Sequence, residues 1–237
     1  MTTLNGKAQQ FIDEVLRLAP RMAAFDCDGT LWAGDSGEGF FYWEIERGLV
    51  SREIEAWARP RYADYRAGKV DEDTMCGEMV TMNRGLKEAD LIRAAEEYFA
   101  ERCAKSIFSD MHELLQRLQA AGCEIWVVSS TNEWVIRAST RYLSISPDHV
   151  IAASAKVADG VVTGELLRMP SGAGKPLGLR ELARRIPDAA FGNSRWDVDM
   201  LQSAGRAFAV NPNPDLAELA GRTGWRVYFP ESLHRTE

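Results

Sequence analysis

One short stretch constrains this chain more than any other: Met22-Ala-Ala-Phe-Asp-Cys-Asp-Gly-Thr-Leu-Trp32. Met22 to Phe25 has the length and composition of a buried strand, and it runs straight into two carboxylates, Asp26 and Asp28. Gly29 and Thr30 follow at once, which forces a tight turn. Side chains alternate along a strand, so Asp26 and Asp28 point to similar sides at its carboxyl end, while Cys27 turns away to pack. Two anions held that close repel each other, and one tends to keep its proton at neutral pH unless a cation intervenes. A hard divalent ion such as Mg²⁺ is the economical remedy, because it takes a few oxygen ligands and keeps its waters. One carboxylate can then attack phosphorus while the other handles the leaving-group proton. An ordinary Asp-Gly turn with incidental acids is the alternative.

The remaining chain alternates between periods. A helix is expected over residues 5–18, ahead of the first strand, with Phe11, Val15 and Leu18 on one face. Residues 35–106 carry apolar positions at helical spacing, broken at Gly48, Gly68 and Gly85, which reads as three to five helices and no strand. That is too long for a crossover and predicts a helical cap domain inserted into a core of residues 1–34 and 107–237. Strands are then expected at 124–128, 150–153, 189–191, 206–210 and 225–229, with a hairpin at 156–167 around Asp159-Gly160. Helices are expected at 109–121, 132–143, 176–186, 197–204 and 215–221. This order implies an α/β fold: a doubly wound, mostly parallel Rossmann-like sheet with an inserted all-helical cap domain. Ligands of such sheets sit outside the carboxyl ends of the strands.

Three further signals fall at that edge. Ser129 ends a buried strand, where its hydroxyl and the following amides can hold a phosphoryl oxygen; an ordinary helix N-cap is the competing reading. Lys175 lies in Ser-Gly-Ala-Gly-Lys-Pro just before a helix and can neutralise both a nucleophile and a phosphate. It is not a P-loop lysine, because the glycine spacing differs and Pro176 stands where a hydroxyl is needed. Finally, Phe-Gly-Asn-Ser-Arg-Trp-Asp-Val-Asp-Met, residues 191–200, carries a strand into an acidic turn.

Taken in order, these signals resemble the four motifs of the haloacid dehalogenase (HAD) superfamily, across nearly the whole sequence. The resemblance implies that Asp26 is the nucleophile of a phosphohydrolase and Asp28 its general acid and base. Ser129, with Ser130 as the alternative, matches the hydroxyl of the second motif, and Lys175 the lysine of the third. Gly192-Asn193 with Asp197 matches the fourth, usually written Gly-Asp-x-x-x-Asp. The helical insert resembles the C1 cap of the phosphoserine-phosphatase-like branch. Asn193 departs from the pattern, since an amide ligates Mg²⁺ without bringing charge. The expected metal set is Asp26, the carbonyl of Asp28, Asn193 and waters, with Asp197 as an outer ligand or an anchor behind them. Asp199 is either a compensating acid or an exposed helix residue.

The mechanism implied is attack of Asp26 on phosphorus, an aspartyl-phosphate intermediate, and hydrolysis assisted by Asp28. Substrate choice falls to the cap. In that branch an acid nine residues after the nucleophile reads the substrate's amine, a place held here by Asp35, with Glu38 available if the loop shifts. Trp32, Phe40, Phe41, Tyr42 and Trp43, with Trp196, read mostly as cap or interface core, with a cage for an alkylated ammonium as the alternative.

A Mg²⁺-dependent phosphomonoesterase acting on a small phosphorylated metabolite is thus expected. A 2-haloacid dehalogenase-like hydrolase and a catalytically impaired phosphate-binding module are the alternatives. Asp28 argues against the first, since such dehalogenases lack that acid; Asp26, Asp28 and Lys175 together argue against the second. The net charge of −7 speaks against nucleic acid or an anionic membrane as the main partner. Cys27, Cys76, Cys103 and Cys123 have no metal-type spacing and read as reduced thiols. His112, His149 and His234 lie in no nucleophile motif. With no leader or spanning run, a cytoplasmic protein is expected, monomer or homodimer.

Overall fold

The computed structural model describes residues 4–230, so His234 lies outside the described residues. Helix α1 (Gly6–Arg17) is capped by Asn5, whose side chain accepts from the amides of Lys7 and Ala8. Strand β1 (Met22–Phe25) follows, buried throughout. Four helices come next: α2 (Ser36–Glu46), α3 (Arg52–Arg66), α4 (Glu72–Thr81) and α5 (Glu88–Tyr98). The core resumes with α6 (Ser109–Ala120), β2 (Glu124–Asn132), α7 (Glu133–Leu143), β3 (Val150–Ala158), β4 (Val161–Arg168), α8 (Gly174–Gly178), β5 (Ala189–Gly192), α9 (Val198–Ser203), β6 (Arg206–Val210), α10 (Pro214–Thr223) and β7 (Arg226–Tyr228).

The sheet has the order β4-β3-β2-β1-β5-β6-β7, parallel except for the β3–β4 pair. Strand β1 lies inside it, and its alternation divides the core. Ala23, Phe25 and Cys27 join the cluster on one face, with Phe11, Phe191 and Phe208. Met22 and Ala24 join the other, with Trp126, Ile151 and Leu179. Phe25, Phe191 and Phe208 are register partners on β1, β5 and β6, and their rings stack at 4.2 and 4.8 Å. Each such pair adds about 0.5–1.5 kcal/mol beyond its buried area. Phe25-Asp26 and Phe191-Gly192 therefore leave the sheet side by side.

The helical insertion has its own core, built on Phe41, Ile45, Ala58, Tyr62, Met75 and Met82. Two details depart from expectation. The hairpin is no separate ribbon, because β3 runs unbroken from the parallel sheet into its pairing with β4. The insertion is also not wholly without extended backbone: Gly85 donates to the Val162 carbonyl, Val162 to that of Leu86, and Glu88 to that of Gly160. The loop between α4 and α5 thus seats on the outer edge of β4. Among the described residues no helix is long and apolar enough to cross a membrane.

Candidate active site

The carboxyl ends of β1, β2 and β5 and the start of α8 converge beneath the helical insertion on a cleft of about 260 Å³. Asp26, Asp28, Ser129, Ser130, Lys175, Asn193, Asp35, Glu38 and Trp196 all line it. Asp197 sits behind, fully buried.

Lys175 organises the closed end. Its ammonium donates to Asp26 Oδ1 at 2.8 Å, to Asp197 Oδ1 at 2.5 Å and to the Val128 carbonyl at 3.1 Å. A lysine has three N–H donors, so all are committed to protein. Lys175 was expected just ahead of a helix; it lies within the first turn of α8, which begins at Gly174, where an added Cβ would stand 2.4 Å from the Met169 carbonyl oxygen. The helix widens over Leu179–Ala183 and stops at Arg184, whose φ of 54° no helix accommodates. Burial alone would depress the lysine's pKa, but Asp197 and Asp26 outweigh it and hold it above the ordinary value. Burial, with Asp197 adding to it, pushes Asp26 up to about 7 against the opposing pull of Lys175. The nucleophile candidate is poised where a cation decides its charge.

Asp197 also closes the loop after β5. Its Oδ2 accepts the amides of Asn193 and Ser194, each at 2.9 Å, and the Ser194 hydroxyl at 3.1 Å. A Cβ on Gly192 would lie 2.5 Å from that of Asp197, so the motif glycine leaves room for this acid. Both carboxylate oxygens of Asp197 are therefore engaged by protein donors. Asn193 faces β1 instead. A Cβ on Gly29 would fall 1.9 Å from Asn193 Nδ2, and Gly29 has a φ of 75°, so glycine serves the turn and the close approach together. Asp199 is an exposed helix residue.

Asp28 is held by three donors. Trp32 Nε1 and the Ser36 amide reach Oδ1 at 2.7 and 2.6 Å, and the Thr131 hydroxyl reaches Oδ2 at 2.8 Å. Thr131 was missed in the sequence. The strand was expected to end at Ser129–Ser130, but β2 continues to Asn132 with a register irregularity that turns Thr131 toward β1. Ser129 is buried and accepts the Thr131 amide at 3.1 Å.

On the side of the helical insertion, Asp35 caps α2, accepting the Glu38 amide at 2.8 Å. It is reachable from within the cleft yet walled by the insertion, and that enclosure, with repulsion from Asp28, pushes it up to about 7. The run of aromatics is core, as its main reading had it: Trp32, Phe40, Phe41 and Trp43 are buried, and Trp196 alone of that set reaches the cleft. The aromatics that face it are Tyr62 and Tyr65, three apart on α3, a helical spacing the sequence offered.

Comparison with known proteins agrees with this geometry. A histidinol-phosphatase of Neisseria meningitidis serogroup C is 31% identical over 218 residues, covering 87% of this chain and 97% of that protein. A phosphoserine phosphatase of Mycobacterium tuberculosis is 29% identical over 220 residues, covering 86% and 69%. Among solved structures, a Bordetella pertussis Tohama I protein of unknown function superposes with a TM-score of 0.74 at 24% identity, covering 88% of this chain and 98% of that one. A substrate-bound phosphoserine phosphatase superposes with a TM-score of 0.59 at 19% identity, covering 89% and 92%. The haloacid dehalogenase-like hydrolase model matches residues 23–202, from β1 through the loop after β5 and into α9, and the chain belongs to that family of hydrolases.

Proposed function

We propose that the protein is a phosphomonoesterase that works through an aspartyl-phosphate, with residues 35–106 as a cap over a core of 1–34 and 107–237. The observation that carries this reading is the Lys175–Asp26 contact of 2.8 Å at the closed end of a cleft that Asp28 flanks. Asp26 attacks phosphorus and forms a P–O bond as the ester P–O bond breaks. Asp28 gives its proton to the departing oxygen. A water then attacks the aspartyl-phosphate, Asp28 takes its proton, and phosphate leaves with Asp26 restored. Lys175 favours the ionised form of Asp26, and Asp197 fixes Lys175 and the loop after β5. Ser129 and Ser130, with nearby amides, hold the phosphoryl oxygens. Thr131 and Trp32 fix the rotamer of Asp28.

The donor set also suits a small hard cation. Asp26, the Asp28 carbonyl and Asn193 offer oxygens, and the Asn193 side chain is lodged against the turn that follows Asp28. These three would hold Mg²⁺, with Asp197 acting from behind through its hydrogen bonds. When bound, Mg²⁺ supplies positive charge against Asp26 and the phosphoryl group. Among the described residues no three acids, histidines or cysteines gather as a metal cluster.

Phosphate release from a panel of small phosphomonoesters, with and without Mg²⁺ and alongside Asp26→Asn, tests the reading. The names of the relatives add histidinol phosphate and phosphoserine to that panel. Mg²⁺-dependent turnover lost in the variant is the expected result. Halide release from 2-haloacids without ester hydrolysis overturns it.

A further inference from the structure

The loop after β6 reaches both sides of the proposed metal site. Strand β5 lies between β1 and β6, so a contact from the end of β6 to the turn after β1 must cross the exit of β5. Asn211 makes that crossing. Its Nδ2 donates to the Gly29 carbonyl at 3.1 Å, a partner 182 positions away in the chain. Just beyond it, the Asn213 amide donates to the Asn193 carbonyl at 2.7 Å. One short loop therefore grips the turn that follows Asp28 and the residue that stands against that turn. Gly29 and Asn193 also meet each other, because the Asn193 side chain fills the space where a Cβ on Gly29 would lie. Asp197 Oδ2 holds the Asn193 amide from the other side.

The backbone of Asn211 is unusual in a way that serves this contact. Its φ is 46°, in the left-handed region, although the proline that follows favours an extended residue before it. Its own amide is fixed to the Tyr228 carbonyl at 2.7 Å. Asparagine tolerates a left-handed backbone, and a turn at a strand end would ask no more of it. In such turns the side chain bonds its own neighbouring backbone. The side chain of Asn211 is spent instead on Gly29. The Asp28 carbonyl lies one planar peptide unit before that of Gly29, so a turn loosened at Gly29 moves it as well.

We infer that Asn211 is a positioning residue: by bracing the Gly29 turn over the exit of β5, it holds the Asp28 carbonyl and Asn193 in register as oxygen donors for Mg²⁺. The inference rests on the proposed phosphatase reading for the identity of the metal. Asn211→Gly isolates the brace, because glycine accepts the left-handed φ while the donor is deleted. Relief of the backbone offsets the lost bond, so the Tm in EDTA should stay within about 2 °C of wild type. The half-saturating Mg²⁺ concentration, read from the thermal shift, should rise by about tenfold or more. An unchanged half-saturation overturns the inference, whatever happens to Tm.

Hydrogen–deuterium exchange of the metal-free protein reads the brace without the metal. In Asn211→Gly, peptides covering residues 26–32 and 192–197 should exchange faster, with those of α3 and α5 unchanged. No change outside residues 206–215 overturns the inference even where Mg²⁺ binds. Where Mg²⁺ fails to shift the wild-type Tm, the metal assignment of the functional reading falls, and exchange alone decides the brace.

Discussion

Lys175 Nζ stands 2.5 Å from Asp197 Oδ1, closer than the 2.8 Å to Asp26, so the lysine is held from behind and presented to the nucleophile. Both residues are buried, and removing one partner of a buried pair leaves an uncompensated charge at a cost of about 3–5 kcal/mol. Asp197→Ala should lower the melting temperature by roughly 10 °C. Asp197→Asn, which keeps an oxygen for the Asn193 and Ser194 amides, should lower it less. A differential scan decides this; a Tm for Asp197→Ala within about 2 °C of wild type would refute it.

Gly29 and Gly34 both have positive φ, at 75° and 91°, but only Gly29 meets a neighbour. Gly34→Ala should cost the left-handed penalty alone, about 1–2 kcal/mol. Gly29→Ala adds a clash with Asn193 and should cost distinctly more. Urea midpoints of the two variants give the comparison, with equal losses as the contrary result.

Glu44 is buried in the helical insertion with Oε2 unpartnered, and Oδ1 of the buried Asn83 is unpartnered as well. Burial raises its pKa well above the ordinary carboxylate value of 4.5, opposed only by a hydrogen bond from Asn83. The folded state therefore binds a proton that the unfolded state releases above that value. The contribution is fully present below about pH 4.5 and is lost as pH rises toward the folded-state pKa. Glu44→Gln should be near neutral at pH 4 and increasingly stabilising toward pH 8, read as Tm against pH. A pH-independent difference would contradict this.

Asn193→Asp restores a carboxylate beside Asp26. Without metal it should lower Tm by adding repulsion. With Mg²⁺ it should lower the half-saturating concentration by roughly tenfold, about 1.4 kcal/mol. Thermal shift across a Mg²⁺ titration, begun in EDTA, measures both. The same half-saturation in both proteins would remove Asn193 from the metal set.

How much of this was readable in advance differs by distance along the chain. Strand β1, its two acids and the helical insertion follow from local pattern, because period and turn chemistry act over a few residues. The placement of Lys175 was half legible: the residue was picked out, but its helix begins earlier than Pro176 suggested, at Gly174, whose close approach to the Met169 carbonyl is a contact between segments that no local pattern encodes. Thr131 was illegible, since its partner Asp28 lies 103 residues away and the contact depends on an irregularity in β2. The hydrogen bond from the Tyr65 hydroxyl to Glu72 was hidden in the same way, being set by how α3 and α4 pack together.

The seating of residues 85–88 on β4 ties substrate access to the fate of a sheet edge. The loop between α4 and α5 occupies amide and carbonyl groups at the start of β4 that another chain's strand would otherwise pair with. A cap swinging away as a rigid body would break those backbone bonds and bare the edge, beside the exposed Leu166 and Leu167. Carrying the hairpin along would instead bend β3 where it leaves the parallel sheet. The bonds that hold the helical insertion in place therefore also keep an open sheet edge from pairing with another chain.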